Sequence, residues 1–313
     1  MWYERLVKRW RLAVAGLVVW AAGLALLDAA FFKLKGPPPH FATLLPLSPK
    51  ASSPKSLALV VNGGLGLGMN YPRYWNNLSL ATVAFKTLGY RTVAALDGDG
   101  APGVPDRSVN PFLGLISTGD YDDSPFDLDA DGTPDVQGPA TRARLETALA
   151  DIGKTLGEGD SLVLYLIDHG QLRLRDGTLT AVFMLWNEEI FPDELEAMIA
   201  RHIPKGAWVA VGGSMCHSDI FFRDFQRPRT LVLAAGRPLW IWSTQTYSIF
   251  TYHFFAALLG IDPENGKPVR ADENGDGRVT LREAVRHAAR ADHSPEWPKA
   301  WVNGDDSTAP EHF

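Results

Sequence analysis

The chain has 313 residues, 46% of them hydrophobic, enough to bury one large α/β core with little left for a second. Thirty basic against thirty-six acidic side chains give a net charge of −6 with no basic stripe, which excludes a nucleic-acid-binding role. One cysteine excludes an internal disulfide.

Residues 1–11 are basic, and Arg5, Lys8, Arg9 and Arg11 precede an unbroken apolar run from Leu12 to Leu27 that can extend to Phe32. This reads as an export signal, either a cleavable peptide or an uncleaved anchor over 12–32. Asp28 makes the longer span costly, yet Leu27-Asp28-Ala29 is a poor cleavage site and Lys33 and Lys35 flank the segment, which favours the anchor. Basic residues before the span keep the N-terminus inside and the body outside the cytoplasm. A secreted or periplasmic protein after signal cleavage is the alternative. Residues 33–56, with Gly36-Pro-Pro-Pro39, read as a spacer, and the folded body occupies 57–313.

The body opens with an apolar strand, Leu57 to Val61, ending in Asn62-Gly-Gly64. A helix is expected over Leu78–Leu88, stopped by Gly89, then a strand at Thr92–Leu96. Asp97 to Pro139 reads as a long acidic loop, functional or metal-stabilised. Thr141–Leu156 carries Leu145, Leu149, Ile152 and Leu156 on one helical face, and Leu162–Ile167 is a continuous apolar run suited to a parallel strand covered on both faces. A hairpin near Arg175-Asp-Gly177, a strand at Ala181–Trp186, a helix over Pro192–Ile203 and a strand at Ala207–Val211 follow. Strands at Thr230–Ala234 and Leu239–Trp242 and a helix over Tyr247–Leu259 complete the pattern. The alternation predicts an α/β fold: a mostly parallel sheet with helices on both faces, preceded by the N-terminal apolar helix.

Two strand ends carry chemistry. Asp168-His169-Gly170 closes one apolar run, and Gly212-Gly213-Ser214-Met215 leads from another to Cys216. In open α/β sheets the reactive crevice lies beyond the carboxyl ends of the strands. A thiol there needs a base and oxyanion donors. His169 supplies the first, and the N–H groups of Gly170 and Cys216 supply the second. A buried, inert cysteine is the competing reading.

The segment Val163-Leu-Tyr-Leu-Ile-Asp-His-Gly170 resembles the apolar strand ending in His-Gly of caspase-like peptidases, and Asp-His-Gly is the legumain form. Ser214-Met-Cys216-His-Ser218 stands where legumains have Glu-Ala-Cys-x-Ser, keeping Cys216 and Ser218 and lacking the acid. Asn62-Gly-Gly64 and Asn70-Tyr71-x-Arg73 resemble the segment after the first legumain strand, with Pro72 as an extra residue. Gly138-Pro-Ala-Thr141 and Gly159-Asp160 are similar to bacterial members, and the likeness covers roughly residues 57 to 290. The resemblance implies a caspase-like three-layer sandwich. It implies a cysteine endopeptidase with Cys216 as nucleophile, His169 as proton donor to the leaving amine and Asn70 orienting the histidine. Arg73, Ser214 and Ser243, just after Trp240-Ile-Trp242, would line the substrate pocket. Water would complete hydrolysis of a peptide or protein substrate; an amine in its place would give transpeptidation.

Asp272, Asn274, Asp276, Gly277, Arg278, Thr280 and Glu283 fit the twelve-residue EF-hand loop, Arg278 through its carbonyl and Glu283 as the closing bidentate ligand. Leu281–Ala289 supplies the outgoing helix, and Asp262-Pro-Glu-Asn-Gly266 argues against an incoming one, so a single structural Ca2+ is expected and no organic cofactor. Asp127, Asp129, Asp131 and Asp135 form a weaker candidate without the closing glutamate. The alternatives are a catalytically silent caspase-like, calcium-stabilised binding module at the cell surface and a calcium-dependent adhesion protein.

Overall fold

The computed structural model describes residues 55–66, 69–101, 105–107, 121–123, 125–236, 243, 246–294 and 296–303. The basic segment, the apolar run 12–32, the spacer up to residue 54 and the strand expected at Leu239–Trp242 lie outside them. Among the described residues, no helix is long and apolar enough to cross a membrane.

Strand β1, Ser56–Asn62, is buried along its whole length. Helix α1, Pro72–Thr87, begins six residues earlier than the apolar spacing predicts. Proline opens it because the first helical N–H is unneeded and the ring presets φ. The polar and aromatic first turns are held by contacts distant in sequence: Trp75 Nε1 donates to Pro125 O at 3.0 Å and Asn77 Nδ2 to Ser248 Oγ at 2.8 Å. Strand β2, Thr92–Asp97, follows. Within the stretch expected to be loop, β3, Pro105–Arg107, pairs antiparallel with β4, Tyr121–Asp123. Helix α2, Arg142–Gly153, is capped by Thr141, whose Oγ1 accepts from Arg144 N.

Strand β5, Ser161–Ile167, leads into a small antiparallel sheet of β6, Gly170–Arg175, β7, Thr178–Leu185, and β8, Glu188–Ile190. Asp176 and Gly177 join β6 to β7, and both have positive φ, as a tight hairpin turn requires. Helix α3, Pro192–His202, strand β9, Trp208–Ser214, helix α4, Ser218–Arg223, and strand β10, Thr230–Ala234, come next. Helices α5, Ile249–Leu259, and α6, Leu281–Ala291, precede the closing strand β11, Lys299–Asn303.

The main sheet has six strands in the order β2-β1-β5-β9-β10-β11; the first five run parallel and β11 is antiparallel. Alternate residues send side chains to opposite faces. Ala58, Val60, Val163, Tyr165, Ala210, Leu231 and Leu233 pack with α1, α5 and α6. Leu57, Leu59, Leu162, Leu164, Val209, Val211 and Val232 pack with α2, α3, α4 and the β7 side of the small sheet. The result is a mixed α/β architecture, a mostly parallel sheet with helices on both faces. Strand β9 runs three residues beyond the expected Val211. Gly212 and Gly213 extend it because a β-carbon at either would overlap the backbone of Leu233 or Leu166 in the flanking strands.

Candidate active site

Strand β1 is flanked by β2 on one side and β5 on the other, so the chain departs from it in opposite directions and leaves a crevice at the carboxyl ends. There Asp97, Asn62, Ile167 and Ser214 stand in register across four strands. By the alternation of their strands they face the layer that holds α1. Asn62 Nδ2 donates to Asp97 Oδ1 at 2.7 Å and lies 3.4 Å from Asn70 Oδ1. Burial pushes the Asp97 carboxyl up to about 6, against the hydrogen bond from Asn62. Ser214 is wholly buried, and its hydroxyl has no hydrogen-bond partner among the described residues.

At the end of β5, Asp168 adopts φ 119° and turns the chain out of the sheet. Its Oδ2 accepts the N–H of Gly64, and its Oδ1 lies 3.2 Å from His169 Nε2. The same ring nitrogen is 3.1 Å from the carbonyl oxygen of Met69. Tyr74 and Tyr71 meet the imidazole edge-on, with ring centroids 5.2 and 5.9 Å away. Burial raises the pKa of the Asp168 carboxyl and lowers that of His169 to about 4; Arg73 adds to the second effect and the Met69 carbonyl opposes it. At neutral pH the imidazole is therefore uncharged. With the proton on Nε2 donated to the Met69 carbonyl, Nδ1 is left as the basic nitrogen.

Cys216 is partly exposed, one residue beyond Met215 at the end of β9. His217 follows in the left-handed region at φ 60°, ψ 22°, and α4 starts at Ser218, so the thiol stands on a sharp strand-to-helix turn. The two strand-end loops touch: a β-carbon on Gly170 would overlap the carbonyl oxygen of Cys216. Tyr74 packs edge-on against His169, and burial raises the pKa of its phenol. Gly170 faces Phe183 across the hairpin at a position where the flanking residues make the bonds, His169 O accepting from Met184 N at 3.0 Å. Its own N–H thus points away from β7, as an oxyanion donor must.

The remaining expected residues are placed as follows. Arg73 lays its guanidinium over the rings of Tyr71 and Tyr74, 4.2 and 5.0 Å from their centroids, and its buried Nε has no hydrogen-bond partner among the described residues. Asn70 is buried but turns towards Asn62; the group that meets the imidazole is the carbonyl of the preceding residue, Met69. Ser243 is exposed and bridges to Ser248, while Trp240 to Trp242 lie outside the described residues. Asn62, Asp97, Tyr74 and Met69 are additions to the expected set. Asn62 and Asp97 carried a readable signal, each being a polar residue that ends a buried apolar run.

The two acidic loops are held in different ways. In the 272–283 loop the expected ligand oxygens hold the loop's own backbone. Asp272 accepts from Gly275 N and Gly277 N at 2.7 and 2.8 Å, and Asp276 from Arg278 N at 2.8 Å. Asn274 accepts from Asp276 N at 2.9 Å. Glu283, wholly enclosed, accepts from Glu273 N and Thr280 N at 3.0 and 2.8 Å while Thr280 Oγ1 caps α6. This internal bonding keeps the loop in a tight curl with Asp272, Asn274 and Asp276 exposed and Glu283 buried; hard oxygens of this kind are the donor type that Ca2+ takes. The carboxylates that lie closest together, however, are those of Asp127, Asp129 and Asp135, with one oxygen of each within 4.8 Å of the others. Asp131 is exposed and bonds Thr133 N instead. Lys86 inserts its ammonium here, 2.7 Å from Asp129 Oδ2 and in contact with Asp135. Burial works against that charge, but the bonds to Asp129 and Asp135 hold it above the ordinary lysine range.

No protein-family model matches the sequence, and no curated protein is similar to it. Among solved structures, the crystal structure of protein GSU0716 from Geobacter sulfurreducens is similar, with a TM-score of 0.51 and 15% identity over 83% of this chain and 99% of that one. At that identity the likeness concerns the fold alone.

Proposed function

We propose that this chain is a cysteine endopeptidase of the legumain type on a caspase-like three-layer sandwich, tethered outside the cytoplasm by residues 12–32. The observation that carries the reading is the meeting of the two loops at Gly170, where the His169 turn abuts the carbonyl of Cys216. His169 Nδ1 takes the thiol proton, and the thiolate sulfur bonds to the substrate carbonyl carbon. The oxyanion is received by the N–H groups of Gly170 and Cys216. The imidazolium, held through Nε2 by Met69 O, returns its proton to the departing amine as the C–N bond breaks. Water then opens the thioester and restores the thiol; an amine would give transpeptidation. Asp272, Asn274, Asp276, Arg278 and Glu283 would hold a structural Ca2+, which supplies a fixed positive charge that locks the loop.

The test is covalent labelling of residues 50–313 by acyl- or epoxide-type thiol probes with Asn, Asp, Arg or aromatic lead residues. Labelling of Cys216 that depends on the lead residue and is lost in His169→Ala supports the peptidase. Folded, calcium-loaded protein that does not label at Cys216 removes it.

A further inference from the structure

We propose that the outer edge of β6 seats the part of the substrate on the amine side of the scissile bond, as an added extended strand with an apolar residue beside Leu174. This inference rests on the peptidase reading and names where and how the leaving half of the substrate is held. Strand β6 is an edge, since the small sheet has the order β6-β7-β8. In its register with β7, the inward ladder bonds fall on Gln171, Arg173 and Arg175, so the backbone groups of Gly170, Leu172 and Leu174 point outwards. Among the described residues, no other backbone group bonds to them. The carbonyl of Leu172 takes only a guanidinium N–H of the adjacent Arg173, at 3.2 Å.

This open edge starts inside the site. Gly170 follows His169 directly and abuts Cys216. The departing amine must reach His169 to receive its proton, so the chain attached to that amine passes His169 and continues beside β6, parallel to it. Gly170 to Leu174 is about 13 Å at ~3.3 Å per residue, which accommodates about four residues.

The side chains fit the same occupant. Leu174 and Leu179 are directly opposite one another across the hairpin and are 75% and 52% exposed. They continue, past the edge of the body, the face on which Leu172, Ala181 and Phe183 enter the core. The basic neighbours are turned aside: Arg173 pairs with Glu189 at 2.7 Å, and Arg175 with Asp193 at 2.9 Å. Natural edges are usually blunted by charge or covered. Here, among the described residues, an apolar pair is left exposed beside backbone groups that pair with no other strand, the arrangement that recognises an extended peptide by strand addition.

The experiment compares kcat/KM for two pools of internally quenched peptides with the same mixed acyl-side residues, one with about two and one with about six residues after the scissile bond. The longer pool carries Leu, Ser or Asp at about the fourth of these positions. The expected result is a gain of about tenfold for the Leu-bearing longer peptides over the shorter ones. In Leu174→Pro, which removes an outward N–H without touching the ladder, that gain falls towards one; in Leu174→Glu the preference for Leu is lost. Equal rates for short and long peptides in the natural protein overturn the inference whatever the variants do. So does a dimer that Leu174→Pro dissociates without changing the length dependence, which assigns the edge to self-association. Labelling of Cys216 by thiol probes is measured in parallel: labelling without length dependence defeats this inference alone, and no labelling defeats the peptidase reading with it.

Discussion

Gly170 lies with its Cα against the carbonyl oxygen of Cys216, in the space that a β-carbon would occupy. The contact couples the histidine-bearing loop to the cysteine-bearing loop through backbone alone, and it depends on residue 170 having no side chain. Gly170→Ala should cost about 1–3 kcal/mol of stability, the range for overpacking a close-packed site. It should also slow thiol labelling of Cys216 by more than about tenfold, because displacements near 1 Å are felt strongly in reacting geometry. Chemical denaturation and labelling rates check the two parts separately.

His169 has a pKa near 4 in the fold against 6.5 when unperturbed, with burial as the main cause. Between those values the unfolded chain binds a proton that the native chain does not. The stability held above pH 6.5 is therefore lost progressively as pH falls towards 4, by an amount on the order of 3 kcal/mol. His169→Gln should flatten this part of the stability curve, and imidazole NMR signals should titrate with a midpoint close to 4. A midpoint near 6.5 would show that the ring is solvated.

Asp97 shifts the other way. Its carboxyl is pushed up to about 6 from 3.8 by burial, so native protein holds the extra proton in that interval and stability falls as pH rises through 6. Asp97→Asn keeps an oxygen for Asn62 and removes the buried charge. It should stabilise the protein at pH 8 by up to about 3 kcal/mol relative to its effect at pH 4. Melting curves at the two pH values give the comparison.

Lys86 sets the cation behaviour of the first acidic loop. Removing its ammonium leaves Asp129 and Asp135 facing each other, with Asp135 largely buried. Lys86→Met should destabilise by about 1–2 kcal/mol, between surface and buried ion-pair values. Millimolar calcium should recover part of that loss in a background where Glu283→Gln has weakened the second loop. For Glu283→Gln alone, calcium affinity measured by calorimetry should fall by about a hundredfold, since the closing bidentate carboxylate is lost. A calcium response unchanged by Glu283→Gln would move the ion elsewhere.

Much of the fold was legible because buried parallel strands are written as continuous apolar runs: β1, β5 and β10 stand where Leu57–Val61, Leu162–Ile167 and Thr230–Ala234 place them. His169 and Cys216 drew attention for the same reason, as an imidazole and a thiol just beyond where such runs stop. The first turns of α1 were not, because Tyr74, Trp75, Asn76 and Asn77 have no apolar spacing and are buried by partners elsewhere in the chain. The glycines of β9 read as a loop because their cause is the close backbone of two neighbouring strands. The ion pairs of the first acidic loop were not legible, since spacing counts ligands within a segment, whereas Lys86 reaches Asp129 from 43 residues away.

The parallel arrangement also governs when the two strand-end loops can meet. Gly170 reaches the carbonyl of Cys216 only after β5 has paired with β9, and each parallel pairing closes a long crossover before any bond rewards it. A chain collapsed with β9 unplaced holds the two loops on separate segments. Assembly of the sheet is thus itself the step that brings His169 and Cys216 to one end of the fold.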